Sequence, residues 1–130
     1  NILLDAPDPG HVIMRLQQRF WAGPGHPVAR TLSEGDHVGD FVVLETPGHS
    51  PGHLALWREA DRVLIAGDVI TTMSLLTTWP GVHEPLPLFT KDPTLNRASI
   101  RRIAALRPHV VGVGHGPAWR DPDALAALLD

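Results

Sequence analysis

The chain has 130 residues, 43% of them apolar and 19% charged, which is enough for one domain with its own core and too apolar for a disordered segment. Fourteen acidic residues against eleven basic ones give a net charge of −3, so a nucleic acid or an anionic membrane held by bulk charge is disfavoured as a partner. There is no cysteine, which excludes disulfides and thiolate metal sites, while eight histidines keep a site of imidazole and carboxylate open.

Three Asp-Pro pairs, Asp8-Pro9, Asp92-Pro93 and Asp121-Pro122, each precede a stretch with helical potential. Aspartate caps the free amides of a first turn and proline suits the first helical position, so each pair predicts a helix start. After the first pair Val12, Ile13, Leu16 and Phe20 share a face. Residues 28–30, 41–45, 53–57 and 63–66 follow as short runs rich in valine, leucine, isoleucine and aromatics, broken by glycine, proline and aspartate. They read as strands, mostly antiparallel because the links are short. Residues 71–90 carry Pro80, Pro85 and Pro87 without a clean period and read as a long irregular loop. The second helix, with Leu95, Ile100, Ile103 and Leu106, ends at Arg107-Pro108; a strand at 110–113 and a last helix around 125–129 complete the order. The fold class expected is α/β (α+β), with amphipathic helices covering a sheet.

No apolar run reaches the roughly 18 residues that span a bilayer, and no basic region precedes Ile2-Leu3-Leu4 as a secretory signal requires. The expected compartment is the cytoplasm. The absence of an initiator methionine makes the chain read as part of a longer protein.

Three chemically active residues fall just after apolar runs. His49 sits in Thr46-Pro47-Gly48-His49-Ser50-Pro51-Gly52-His53, where two Pro-Gly turns stiffen the loop. Asp68 ends Val63-Leu64-Ile65-Ala66-Gly67, placing a carboxylate at the mouth of a buried strand, where a cation would remove its desolvation cost. His115 sits between Gly114 and Gly116 after the 110–113 strand. Two imidazoles and a carboxylate at one sheet edge suit divalent zinc, iron or manganese. His53 and Thr46 read as groups that hold and orient the turn rather than as ligands. Met73, Trp79 and Phe89 in the 71–90 segment either form an apolar lip for a substrate or pack the loop against the helices. His11, His26 and His37 read as surface or helix residues.

These residues, in this order and spacing, resemble the C-terminal half of the metallo-β-lactamase superfamily over nearly the whole chain. The resemblance implies a four-layer αββα sandwich with two divalent ions, most often zinc, at one edge. His49 would bind one ion, Asp68 would bridge both and His115 would bind the other. It implies a hydrolase in which activated water attacks an ester, thioester or lactone of a small-molecule substrate. The superfamily's His-x-His-x-Asp-His motif is absent, so residues 1–130 are expected to form one domain that needs an N-terminal half as partner and is inactive alone. Asp68 stands where one group of true β-lactamases carries cysteine, which turns the reading away from antibiotic hydrolysis. The rival readings are a flavin-linked di-iron redox member of the same fold and a non-catalytic interaction scaffold.

Overall fold

The short β1 (His37–Val38) precedes strands formed by runs of valine, leucine, isoleucine and alanine, β2 (Phe41–Glu45), β3 (Leu54–Arg58) and β4 (Val63–Gly67) and, after a connection that holds two further strands, β7 (Val110–Val113). They assemble a five-stranded sheet in the order β1-β2-β3-β4-β7. The first four pair antiparallel and β7 lies parallel to β4. This computed structural model describes residues 19–20, 25 and 27–129. The chain divides into two units, Asn1–Thr31 and Leu32–Asp130, and the sheet belongs to the second.

A parallel return needs a long crossover. Here it consists of a two-stranded ribbon, β5 (Thr71–Met73) with β6 (Pro80–His83), a 3-10 turn at Pro87–Phe89 and helix α1 (Pro93–Ala105). A short helix α2 (Pro122–Ala127) follows β7. Both helices begin as the Asp-Pro pairs predict. Asp92 Oδ1 accepts the Leu95 amide at 2.9 Å, Asp121 Oδ1 accepts the Asp123 amide at 3.0 Å, and proline occupies the first turn in each.

Register decides which residues meet the helices. Trp57 faces Val42 and Leu64 across its two neighbours, and Leu44 faces Ala55. Leu44, Ala55, Trp57, Leu64, Ala66 and Val111 form one core with Ile100 and Ile103 of α1 and Leu125 of α2. The opposite face is also apolar. Val43 faces Leu56 and Leu56 faces Ile65, and the Arg58 guanidinium stands 4.5 Å over the Phe41 ring. Continuous apolar runs are the pattern of strands with two apolar faces.

Three expectations are corrected. Residues 28–30 form no strand, and Val28 is 77% exposed; without a ladder partner, a β-branched side chain does not make a strand by itself. Residues 71–90 are not one irregular loop, because Thr71 pairs with His83 and Met73 with Pro80. Strand β1, which carries the exposed His37, was not expected at all. The helix after Asp8-Pro9 lies outside the described residues except for helical Arg19 and Phe20, as do His11 and His26. Among the described residues no helix is long and apolar enough to cross a membrane.

Arg102 of α1 ties the helix to the sheet by donating to the Glu34 carboxylate and, at 2.9 Å, to the Glu45 carbonyl. Glu34 in turn accepts the Glu45 amide at 2.6 Å. The hydrogen bond from Arg102 and then that from Glu45 hold the Glu34 carboxyl below its ordinary 4.5. The folded state therefore binds this proton less tightly than the unfolded chain. The stabilisation is present above pH 4.5 and lost as pH falls through the lowered value. Side-chain exposures of 45% and 42% screen the pair, so Arg102→Ala is expected to cost about 1 kcal/mol at pH 7. In urea titrations the gap between wild type and variant narrows in acid; equal midpoints at pH 7 would contradict the assignment.

Candidate metal centre

Strand direction brings the candidate residues to one edge. Strands β2, β4 and β7 run the same way, since each antiparallel step reverses direction and β7 is parallel to β4. Their C-terminal ends therefore share an edge, and the start of β3 lies at that edge too. His49 follows β2, His53 precedes β3, Asp68 follows β4 and His115 follows β7.

Hydrogen bonds link these turns. The Asp68 amide donates to His53 Nε2 at 3.1 Å. An amide nitrogen is only a donor, so Nε2 carries no proton and the proton sits on Nδ1, 2.8 Å from Thr46 Oγ1. His53 is thus a neutral imidazole that joins a buried threonine to the backbone at the end of β4. Burial, and then the neighbouring His49, lower its pKa from 6.5. Thr46 and His53 are thus bonded to each other across the turn, and His53 also to the Asp68 amide.

The Asp68 carboxylate accepts from or pairs with His115 Nδ1 at 2.8 Å, with the two side chains 33% and 53% exposed. Gly114 makes that contact possible: a Cβ there would stand 2.2 Å from Asp68 Oδ1. His49 reaches the same group through His53, edge to face, with ring centroids 6.1 Å apart. Its Nδ1 is buried with no hydrogen-bond partner, a costly state for a polar atom unless something outside the described atoms engages it. Among the described residues, no three histidine, aspartate or glutamate groups stand close enough together to hold a metal ion. What the edge supplies is a His115–Asp68 pair and one buried, unpartnered imidazole nitrogen, donors of the kind that divalent zinc or iron accepts.

The apolar residues of the 71–90 segment are placed differently from one another. Met73 ends β5 and is half-buried, whereas Trp79 and Phe89 are 73% and 54% exposed. Neither aromatic is a buried core residue. Strand β5 meets the His115 turn directly, since the Thr72 amide donates to the His115 carbonyl at 3.1 Å and Thr72 Oγ1 to the Pro117 carbonyl. Sequence reasoning missed Asn96. It is 1% exposed and accepts the His49 amide at 3.2 Å, and only its place on the buried face of α1 beside Ile100 and Ile103 could have flagged it.

The tautomer is testable directly. Nitrogen-15 spectra of the imidazoles at neutral pH are expected to show His53 with a protonated Nδ1 and a bare Nε2. A protonated Nε2 would break the assigned bond to Asp68.

The family model of the metallo-beta-lactamase superfamily matches residues 5–115. The probable metallo-hydrolase YflN of Bacillus subtilis is 36% identical over 85 residues, which cover 61% of this chain and 32% of that protein. An N-acyl homoserine lactonase of Bacillus thuringiensis is 36% identical over 74 residues, 55% of this chain and 28% of that one. A hydroxyacylglutathione hydrolase of Bdellovibrio bacteriovorus is 41% identical over 63 residues, 45% and 25% of the two chains. Two solved structures share the fold with a TM-score of 0.64. One is a metallo-beta-lactamase family protein from Thermus thermophilus, 25% identical, with 98% of this chain and 41% of that one covered. The other is TTHA1623 in a di-iron-bound form, 31% identical, with 91% and 59% covered. The chain spans about a third of the length of YflN and less of the other two relatives. With its strands, its edge of histidine and aspartate, and a family match over most of its length, the chain belongs to the metallo-beta-lactamase superfamily.

Proposed function

We propose that this chain contributes His49, Asp68 and His115 to a divalent-metal centre of a hydrolase that cleaves esters, thioesters or lactones. The observation that carries the reading is the buried, unpartnered Nδ1 of His49 at the sheet edge that also holds the Asp68–His115 pair. The similarity to a lactonase and to a hydroxyacylglutathione hydrolase supports a carbonyl substrate. Because no three donors cluster among the described residues, the reading requires further donors from outside them. A bound divalent ion supplies Lewis acidity, lowering the pKa of water into the neutral range and polarising the substrate carbonyl.

The chain's own residues have separate tasks in this scheme. Asp68 supplies negative charge at a partly exposed position and fixes His115 through Nδ1, which leaves Nε2 as that ring's open nitrogen. His53 stays neutral and holds the Asp68 backbone, so a cation at the edge meets no competing charge from it. Exposed Trp79 and Phe89, with Met73, supply apolar contacts for the non-reacting part of a small substrate. The di-iron-bound relative makes iron a specific rival to zinc.

Elemental analysis of the whole protein, purified without chelator, is expected to find about two equivalents of zinc, iron or manganese. Folded protein free of metal would end the proposal. Gly114→Ala is the sharper variant, because its Cβ would push the Asp68 carboxylate aside. A short side chain can rotate away, so the fold survives while metal affinity falls about 10–100-fold. Unchanged affinity would remove Asp68 from the centre.

A further inference from the structure

Helix α1 lies along the segment that leads into His49, and three of its side chains fasten to that segment in step. Arg102 donates to the Glu45 carbonyl at 2.9 Å, Ser99 to the Pro47 carbonyl at 2.7 Å, and Asn96 accepts the His49 amide at 3.2 Å. Residues three apart share a helix face, so one face of α1 lines the segment from Glu45 to His49. Asn96 differs from the other two in having a second arm. Its Nδ2 donates at 2.9 Å to the carbonyl of Val69, the residue after Asp68.

One side chain thus bridges the His49 turn and the Asp68 turn. It is 1% exposed and uses both ends of its amide, which is how a buried carboxamide offsets its desolvation. The backbone around it is equally constrained. The amides of Asp92 and Lys91 donate to the carbonyls of Gly48 and His49 at 2.9 and 3.2 Å. Gly48 has a φ of +134°, and a Cβ there would stand 2.2 Å from the Asn96 nitrogen. Helix and turn therefore touch backbone to backbone, and a shift of Asn96 moves His49 with it.

We propose that Asn96 is a positioning residue that fixes the separation of the His49 and Asp68 donors before any metal arrives, an inference that rests on the metal-centre reading above. Donor groups bind best when the shell behind them holds their geometry. An aliphatic residue of similar size would fill the same hole, but it could make neither the bond to the His49 amide nor that to the Val69 carbonyl.

The test uses the whole protein with Co(II) as the probe. Asn96→Ala and the near-isosteric Asn96→Leu are compared with Leu125→Ala, a core deletion on α2 that destabilises without removing a hydrogen bond to either turn. Both Asn96 variants are expected to lose about 10–100-fold in Co(II) affinity and to change the visible spectrum of the bound ion. Leu125→Ala should lower the melting temperature at least as far and keep affinity within about twofold. Wild-type affinity and spectrum in folded Asn96→Leu would overturn the proposal while leaving the metal centre standing. If wild-type protein takes up no Co(II), the metal-centre reading fails and this inference with it. Amide exchange on metal-free wild type needs no variant: the His49 amide is expected to exchange slowly, and exchange at the rate of an open loop would also overturn the proposal.

Discussion

The His53 ring can join two turns only in its neutral form. Its Nε2 faces the Asp68 amide at 3.1 Å and its Nδ1 faces Thr46 Oγ1 at 2.8 Å; a proton on both nitrogens would set donor against donor at the amide. Through this ring the turn after β2 is tied to the end of β4, where the Asp68 carboxylate meets His115, and the same ring stands edge to face with His49. Asn96 makes a second tie between the same two turns from the helix side. The candidate centre therefore depends on two groups that both donate and accept, a half-buried imidazole and a buried carboxamide, each bonded at both ends.

Much of this arrangement is local chemistry and can be read from the chain. Apolar runs broken by glycine and proline give β2, β3, β4 and β7, and Asp92 and Asp121 announce their helices. His49, Asp68 and His115 stand out because a polar group directly after a buried strand needs a reason to be there. The features that stay hidden depend on distant partners. Asn96 sits in a helix and looks like any solvated helix residue until residues 49 and 69 are brought to it. Gly114 reads as a turn glycine, yet its lack of a Cβ matters because Asp68 occupies that space. The β5–β6 ribbon is short, threonine-rich and proline-led, so its pairing comes from register with a neighbour and not from its own pattern.

The two faces of the sheet explain why its strands look uniformly apolar in sequence. One face meets α1 and α2. On the other, Val43 is fully buried while Ile65 on the same face is 43% exposed. The chain spans only part of the relatives it resembles, and in the proposed centre a paired imidazole and carboxylate, with a second imidazole nitrogen that has no partner, would be part of a larger donor set. The turns at that edge are tied together by backbone bonds and by the buried Asn96 amide.

Diffraction from crystals of the whole, metal-loaded protein, recorded on either side of the metal's absorption edge, locates the metal directly. An anomalous peak within coordination distance of His49, Asp68 and His115 is expected. A map with the metal bound elsewhere, or with those three side chains turned toward separate surroundings, would contradict the proposed centre.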